Sequence, residues 1–357
     1  MSARVALALS FAAAVVAQET PAPKAPTARA ADLIKELGQP DRCLDAAREL
    51  TALGPAALPA LHKALVDPRP EVVRQALFVA SGLTGDVESL REPILRCLRH
   101  KDLGVALAAR DAWPALDGGG ATLVTDYHAG KALRLLGDET QEVAVGLPML
   151  MGVQQLPDGH LLLAAYGKNR VIELDAKGEE TWAFADVQTP SDAERLPDGH
   201  TLIADSGNKR VIEADAAGRI VWTFDQDVRP IDVDRLTNGN TLIASYHASG
   251  VVEVDRSGKV VWQWRAENAR DADRLLDGTT LIADGEAKCV LRVDSEHRTL
   301  RTWKVGFACN DAELLPNGHL VVGGDGAVVE FDHEGVEVWR AQLGYAGHVA
   351  RHGVARR

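Results

Sequence analysis

The sequence predicts a mainly β protein: a six-bladed propeller of four-stranded blades, closed by its own C-terminal strand and preceded by a small all-α module. Three observations carry that prediction. Gly119, Gly159, Gly199, Gly239, Gly278 and Gly318 recur every forty residues, once after thirty-nine. The text around them nearly repeats, as in LPDGHLLLAAYGKNRVIELDAKGEETW and LPDGHTLIADSGNKRVIEADAAGRIVW. The apolar spacing inside each repeat is two or continuous, which excludes helix there.

Taken in chain order, residues 1–17 have the makeup of a cleaved signal peptide. Arg4 supplies a positive start, Val5 to Val16 an apolar run, and Val15-x-Ala17 small residues at the cleavage position. The run is too short for a membrane span, which needs about twenty residues. The expected location is therefore secreted or periplasmic. Residues 18–29, rich in Pro and Ala, read as a flexible linker.

Residues 30–116 read as helical. Cys43-Leu44-Asp45-Ala46-Ala47, Val72-Val73-Arg74-Gln75-Ala76 and Val105-Ala106-Leu107-Ala108-Ala109 share a pattern about thirty residues apart. Each follows a helix-starting stretch such as Asp67-Pro68-Arg69-Pro70, and the arrangement resembles HEAT-type helical repeats. Such a stack either caps its neighbour or offers a surface to a protein partner.

Residues 117–357 form the predicted propeller. In the best-defined repeat, Asp192 to Leu196, Thr201 to Ala204, Arg210 to Ala214 and Ile220 to Phe224 are four strands. Pro197-Asp198-Gly199, Gly207-Asn208 and Ala216-Ala217-Gly218 are the turns between them. Trp182, Trp222, Trp262, Trp303 and Trp339 close five of the six last strands, and Val143 or Val145 stands in the first. Each indole buries roughly 150–250 Å², on the order of 4–6 kcal/mol gross, which suits packing between blades. The tail His348 to Gly353 matches an inner strand and is expected to return to blade one, removing an open sheet edge.

A net charge of −12 disfavours nucleic acid as a partner. Cys43, Cys97, Cys289 and Cys309 show no CxxC or Cys/His metal spacing, and their pairing is open.

The runs L-P-D-G-H-T-L-I-A and V-I-E-x-D-x-x-G-x-x-x-W resemble two related bacterial propeller groups, the PQQ-like (quinoprotein-type) and the arylsulfotransferase-like repeats. Asp175-Gly178-Trp182, Asp215-Gly218-Trp222, Asp255-Gly258-Trp262 and Asp332-Gly335-Trp339 carry the first likeness. It implies a propeller fold over about Gly118 to Gly353. Quinoprotein dehydrogenases hold PQQ with an adjacent Cys pair in eight blades, and neither is present in this sequence, so PQQ is not expected. Arylsulfotransferases carry His-Asp at the start of inner strands. Here the Asp is kept, while the residue before it is Ser191, Ile231, Arg270 or Asn310.

The predicted strand order gathers Asp192, Asp232, Asp271, Asp311 and His348 near the axis on one face. Tyr127, His128, Tyr166, Tyr246 and His247 stand around them, and these ten residues are the candidate ligand site at the channel mouth. Glu194, Asp234, Asp273 and Glu313 form a second tier, two residues further along the strands. Two charges ~5 Å apart repel by about 3 kcal/mol at an effective dielectric of ~20. Donors, cations or bound protons must offset that repulsion. Two readings stand: the carboxylates bond backbone of the next blade, or they bind a metal or small cationic ligand. Ca²⁺, which favours six to eight oxygen ligands, fits the second.

His160, His200 and His319 follow the turn glycine and read as exposed. His128 and His247 share Tyr-His-Ala in blades one and four, across the ring. There is no Gly-x-Ser-x-Gly elbow, phosphate loop or HExxH helix. The expected function is therefore an exported non-catalytic binding or scaffold protein. The alternative is an arylsulfotransferase-like or metal-assisted, lactonase-type enzyme.

Overall fold

A computed structural model describes residues 24–83, 87–118, 121–226, 228–246, 250–266 and 268–352. The expected signal peptide, the first marker Gly119 and His247 lie outside them.

The helices are α1 (Pro26–Leu37), α2 (Cys43–Leu53), α3 (Leu58–Ala64), α4 (Pro70–Ser81), α5 (Arg91–Cys97) and α6 (Leu103–Gly118). α1 starts inside the stretch read as a linker, with Pro26 at its first turn, where the missing N–H costs nothing. The three patterned segments fall at the starts of α2, α4 and α6. Their apolar faces bury Leu33, Leu50, Leu61, Leu77, Ile94 and Val105 in one core.

The strands are β1 (Ala121–Asp126), β2 (Lys131–Leu136), β3 (Glu139–Ala144), β4 (Leu150–Gln155), β5 (Leu161–Ala165), β6 (Arg170–Leu174) and β7 (Glu180–Phe184). There follow β8 (Pro190–Arg195), β9 (Thr201–Asp205), β10 (Arg210–Ala214), β11 (Ile220–Phe224), β12 (Pro230–Arg235), β13 (Thr241–Ser245), β14 (Gly250–Val254) and β15 (Val260–Trp264). The last are β16 (Ala269–Arg274), β17 (Thr280–Asp284), β18 (Cys289–Val293), β19 (Thr299–Lys304), β20 (Cys309–Leu314), β21 (Leu320–Phe331) and β22 (Glu337–His352).

These strands make a β-propeller of five blades, which corrects the expected six. β4–β7, β8–β11, β12–β15 and β16–β19 are four-stranded antiparallel sheets, while the fifth sheet has six strands in the order β20-β21-β22-β1-β2-β3. The sixth and first repeats thus share one sheet. Their fusion has a cause in the sequence. From the turn His to the acidic residue of the third strand there are 13 positions in two earlier repeats, and only 11 from His319 to Glu330. The shortened turn contracts to Gly326 (φ 85), and β21 runs on through it. β21 pairs with β20 up to Gly324 and with β22 from Asp325. β22 then continues onto β1, where Ala121 faces His352 and Val124 faces Val349. The expected return of the tail to β1 is therefore present, inside a merged sheet.

Local chemistry explains the turns. Gly159, Gly199, Gly239, Gly278 and Gly318 have φ between 80° and 87°, a region an L side chain rarely adopts. At the later turns, one carboxylate oxygen of Asp175, Asp215 or Asp255 accepts two backbone N–H groups, so each turn is closed by its own side chain.

Neighbouring repeats are joined by a recurring unit. Arg195, Arg235, Arg274 and Arg351, at the ends of inner strands, lie 4.5, 5.6, 5.3 and 5.0 Å from the ring centres of Trp182, Trp222, Trp262 and Trp339 of the preceding repeat. The same guanidinium groups pair with Glu173, Glu213, Glu253 and Glu330 at 2.7, 2.7, 2.8 and 3.1 Å. In one repeat Arg292 occupies the Glu position and pairs with Asp277, and Leu314 then stands where the Arg would be. His160, His200 and His319 are not the exposed turn residues expected. They are half-buried, and each bonds the same glutamate at 2.6–2.7 Å.

Candidate axial binding site

The inner strands β4, β8, β12, β16 and β20, with the end of β22, surround the axis. Because side chains alternate along a strand, every second residue faces inward. The structure brings together Asp192, Asp232, Asp271, Asp311 and His348, and sets Glu194, Asp234, Asp273 and Glu313 beside them in one cavity of about 580 Å³.

Most of these carboxylates are tied to the backbone of the next repeat. Asp232 accepts from Ala272 N–H at 3.3 Å, Asp271 from Ala312 N–H at 2.9 Å and Asp311 from Val349 N–H at 3.0 Å. Glu194 accepts from Arg235 N–H at 2.8 Å and Glu313 from Arg351 N–H at 2.6 Å. Gln154 makes the equivalent bond to Arg195 N–H at 2.8 Å. Asp192 is bonded by the backbone of Ala193 and Val233. Asp234 and Asp273 make no such bond among the described residues.

Charge compensation is thin. His348 Nδ1 lies 2.8 Å from Asp311, and among the described residues it is the one cationic side chain in contact with the eight acids. Burial, reinforced by like charges, holds Asp232, Asp234 and Asp271 well above the usual carboxylate range. Burial pushes Asp273 up to about 7, and Glu194 and Glu313 up to about 8. Burial opposes the charged form of His348, but the neighbouring Asp311 outweighs it and lifts the imidazole to about 9. The axis can hold a cation or share protons among its acids.

One end of the cavity is covered by α4 and α6. Leu107 packs into the propeller core with Leu196, Phe224 and Val233. Gly104 sits so close to Thr237 that an added Cβ would lie 2.6 Å from its side chain. The helical module is therefore seated on the propeller. It adds Arg110 and Asp111 to the cavity lining. Asp111 is exposed toward the cavity, yet protein surrounds it and burial raises its carboxyl to about 6.

Outside the residues that line this cavity, the Tyr127 ring centre lies 5.3 Å from that of His128, 6.1 Å from that of Tyr166 and 5.3 Å from that of Tyr345. Arg270 stands 4.4 Å over Tyr246 and donates to the Tyr345 hydroxyl at 3.3 Å, which in turn donates to Asn310 Oδ1 at 3.0 Å. Tyr127, His128 and Tyr166 thus cluster, and Tyr246 joins them through Arg270, but none of the four is among the residues lining the cavity that holds the acids. Sequence reasoning missed Tyr345, although it sits three residues before His348. It also missed Arg110 and Asp111, whose approach depends on docking of the helices. All four cysteines are buried free thiols.

Comparisons with known proteins agree on the architecture. A family model described as "Outer membrane protein assembly factor BamB" matches residues 137–313, so the chain carries PQQ-like repeats of that kind; the match does not reach the helical module. A Bacteroides caccae protein of unknown function aligns with TM-score 0.56 at 19% identity, over 65% of this chain and 98% of that one. A chain of a nidogen/laminin complex aligns with TM-score 0.57 at 12% identity, over 67% and 100%. At these identities the likeness is one of fold. No curated protein matches the sequence. Among the described residues, no helix is long and apolar enough to cross a membrane.

Proposed function

We propose that this chain is an exported, non-catalytic binding protein whose axial cavity takes a cation or small cationic ligand. The helical module serves as the cap of that cavity and as the surface for a protein partner. One observation carries the reading: eight acids converge on the cavity, and among the described residues His348 is the one cationic side chain in contact with any of them. The likeness to repeats described as an outer membrane protein assembly factor supports an envelope setting and contact with other proteins.

Within the cavity, Asp234 and Asp273 are the acceptors without a hydrogen-bond donor among the described residues, since the other acids already hold backbone N–H groups. Bringing a cation there relieves carboxylate repulsion and lets bound protons leave. Calorimetric titration with Ca²⁺ and with methylammonium at pH 8 tests this. Saturable binding and a rise in Tm are expected, and both should be lost in Asp234→Asn/Asp273→Asn. No heat and no shift with either cation overturns the reading. Turnover of aryl sulfates or lactones, abolished in Asp232→Asn, would replace it with the enzyme alternative.

A further inference from the structure

The propeller's acids are one half of the cavity's chemistry, and α6 supplies the other half. Arg110 is only 8% exposed and lines the cavity, yet it has no hydrogen-bond or ion-pair partner among the described residues. A guanidinium withdrawn from water without a partner is costly. Every other deeply buried arginine described in the propeller, such as Arg235 and Arg351, has a carboxylate within 3.1 Å. Glu194 attracts Arg110 through space but spends an oxygen on Arg235 N–H and lies outside ion-pair distance.

The cavity therefore presents three kinds of surface. Asp234 and Asp273 are acceptors without a donor, Arg110 is a cation without an anion, and Leu77, Phe78 and Leu107 are apolar wall beside it. A bare metal ion would satisfy the acids and leave Arg110 unpaired. A simple amine would do the same. A molecule with an ammonium at one end, a carboxylate at the other and an apolar body between them satisfies all three. Its volume also suits a cavity of about 580 Å³, within the range of small-molecule sites.

Resting on the cationic-ligand reading above and sharpening it, we infer that the cavity binds a zwitterion, an apolar α-amino acid or short peptide, with its ammonium on Asp234 and Asp273 and its carboxylate on Arg110. The helical module then contributes a recognition group as well as a cover. No covalent step is involved.

The test compares L-leucine and L-leucyl-L-leucine with L-leucinamide, by calorimetry on the full chain. Leucinamide keeps the ammonium and lacks the carboxylate, so its net positive charge favours it in any site that reads cations alone. We expect leucine or the dipeptide to bind at least about tenfold more tightly than leucinamide, as a charge-assisted bond to a buried guanidinium provides. The tighter of the two identifies the source. In Arg110→Gln the preference should collapse to about one. In Asp234→Asn/Asp273→Asn all three ligands should weaken together.

Leucinamide binding as tightly as leucine in the unmodified protein overturns the zwitterion inference and leaves the cationic-ligand reading standing. Failure of all three ligands, together with Ca²⁺ and methylammonium, overturns both. The comparison within the unmodified protein decides the matter even where Arg110→Gln fails to fold.

Discussion

Glu173, Glu213, Glu253 and Glu330 on the third strands and Asp192, Glu194, Asp232, Asp234, Asp271, Asp273, Asp311 and Glu313 on the inner strands are two sets of acids within the same sheets. The first set meets an arginine of the next repeat and, in three cases, a histidine of its own repeat. Burial alone would raise Glu213, but Arg256, His200 and Arg235 hold it below the ordinary range. The second set meets mainly backbone N–H groups and other acids, and Asp192, Glu194, Asp232, Asp234, Asp271, Asp273 and Glu313 are raised. Burial acts on Glu213 and on the raised axial acids alike, so its partners explain why Glu213 moves the other way. The first set is built to hold repeats together, and the second to face a cavity.

The largest test of this contrast removes an arginine from the first set. Arg351 and Glu330 are 2% and 6% exposed in their side chains, and Arg351 also stacks on Trp339. Arg351→Ala should lower unfolding free energy by about 2–4 kcal/mol, since it removes a buried ion pair, leaves Glu330 to His319 and strips the guanidinium from Trp339. A loss below about 1 kcal/mol, measured by urea unfolding, would mean that the pair does not hold the merged sheet.

A middle-sized effect separates the sets by pH. Glu194 and Glu313, raised in the folded state to about 8, bind protons more tightly folded than unfolded. Their contribution is fully present below the unfolded carboxylate range and is lost as pH rises toward 8. His348 acts in the same direction: its contribution is present below the ordinary imidazole value and lost as pH rises through about 9. Glu213 has the opposite sign, contributing above the ordinary carboxylate value and losing that contribution as pH falls through its lowered one. Urea midpoints should therefore fall from pH 5 to pH 9 at fixed salt, and Glu194→Gln/Glu313→Gln should flatten the slope. An unchanged slope in that variant would break the assignment of the pH dependence to the axis.

The smallest effect lies at the turn histidines. Asn240 occupies the equivalent position in one repeat and donates to Glu253 at 2.6 Å. His160→Asn should therefore preserve the bond to Glu173 and change stability by less than about 1 kcal/mol. A larger loss would show that imidazole charge, and not hydrogen bonding alone, is needed there.

Much of this could be read from the residues. The strands β8 to β11 fall where alternation and turn glycines placed them, and the inner-strand acids converge as their shared register required. Of the two readings of these acids, backbone bonding describes six of the eight: four reach the next blade, and Asp311 and Glu313 bond β22 within the merged sheet. The shortened turn before Glu330 was also in the sequence, but its consequence, a strand that fails to break, depends on pairing with β22. His160, His200 and His319 looked exposed because a turn suggests solvent; the glutamate that captures them lies on another strand.

Local patterns of one chain, turn glycine, alternating strand and paired helix, determined by themselves that a propeller with an acidic axis and a helical lead would form. Short-range sterics and burial set those features, and both are written in neighbouring residues. Tertiary structure alone decided the blade count, the seating of α6 over the cavity and the isolation of Arg110. Each of these rests on contacts between segments far apart in sequence, where the winning partner is chosen by geometry that no single stretch encodes.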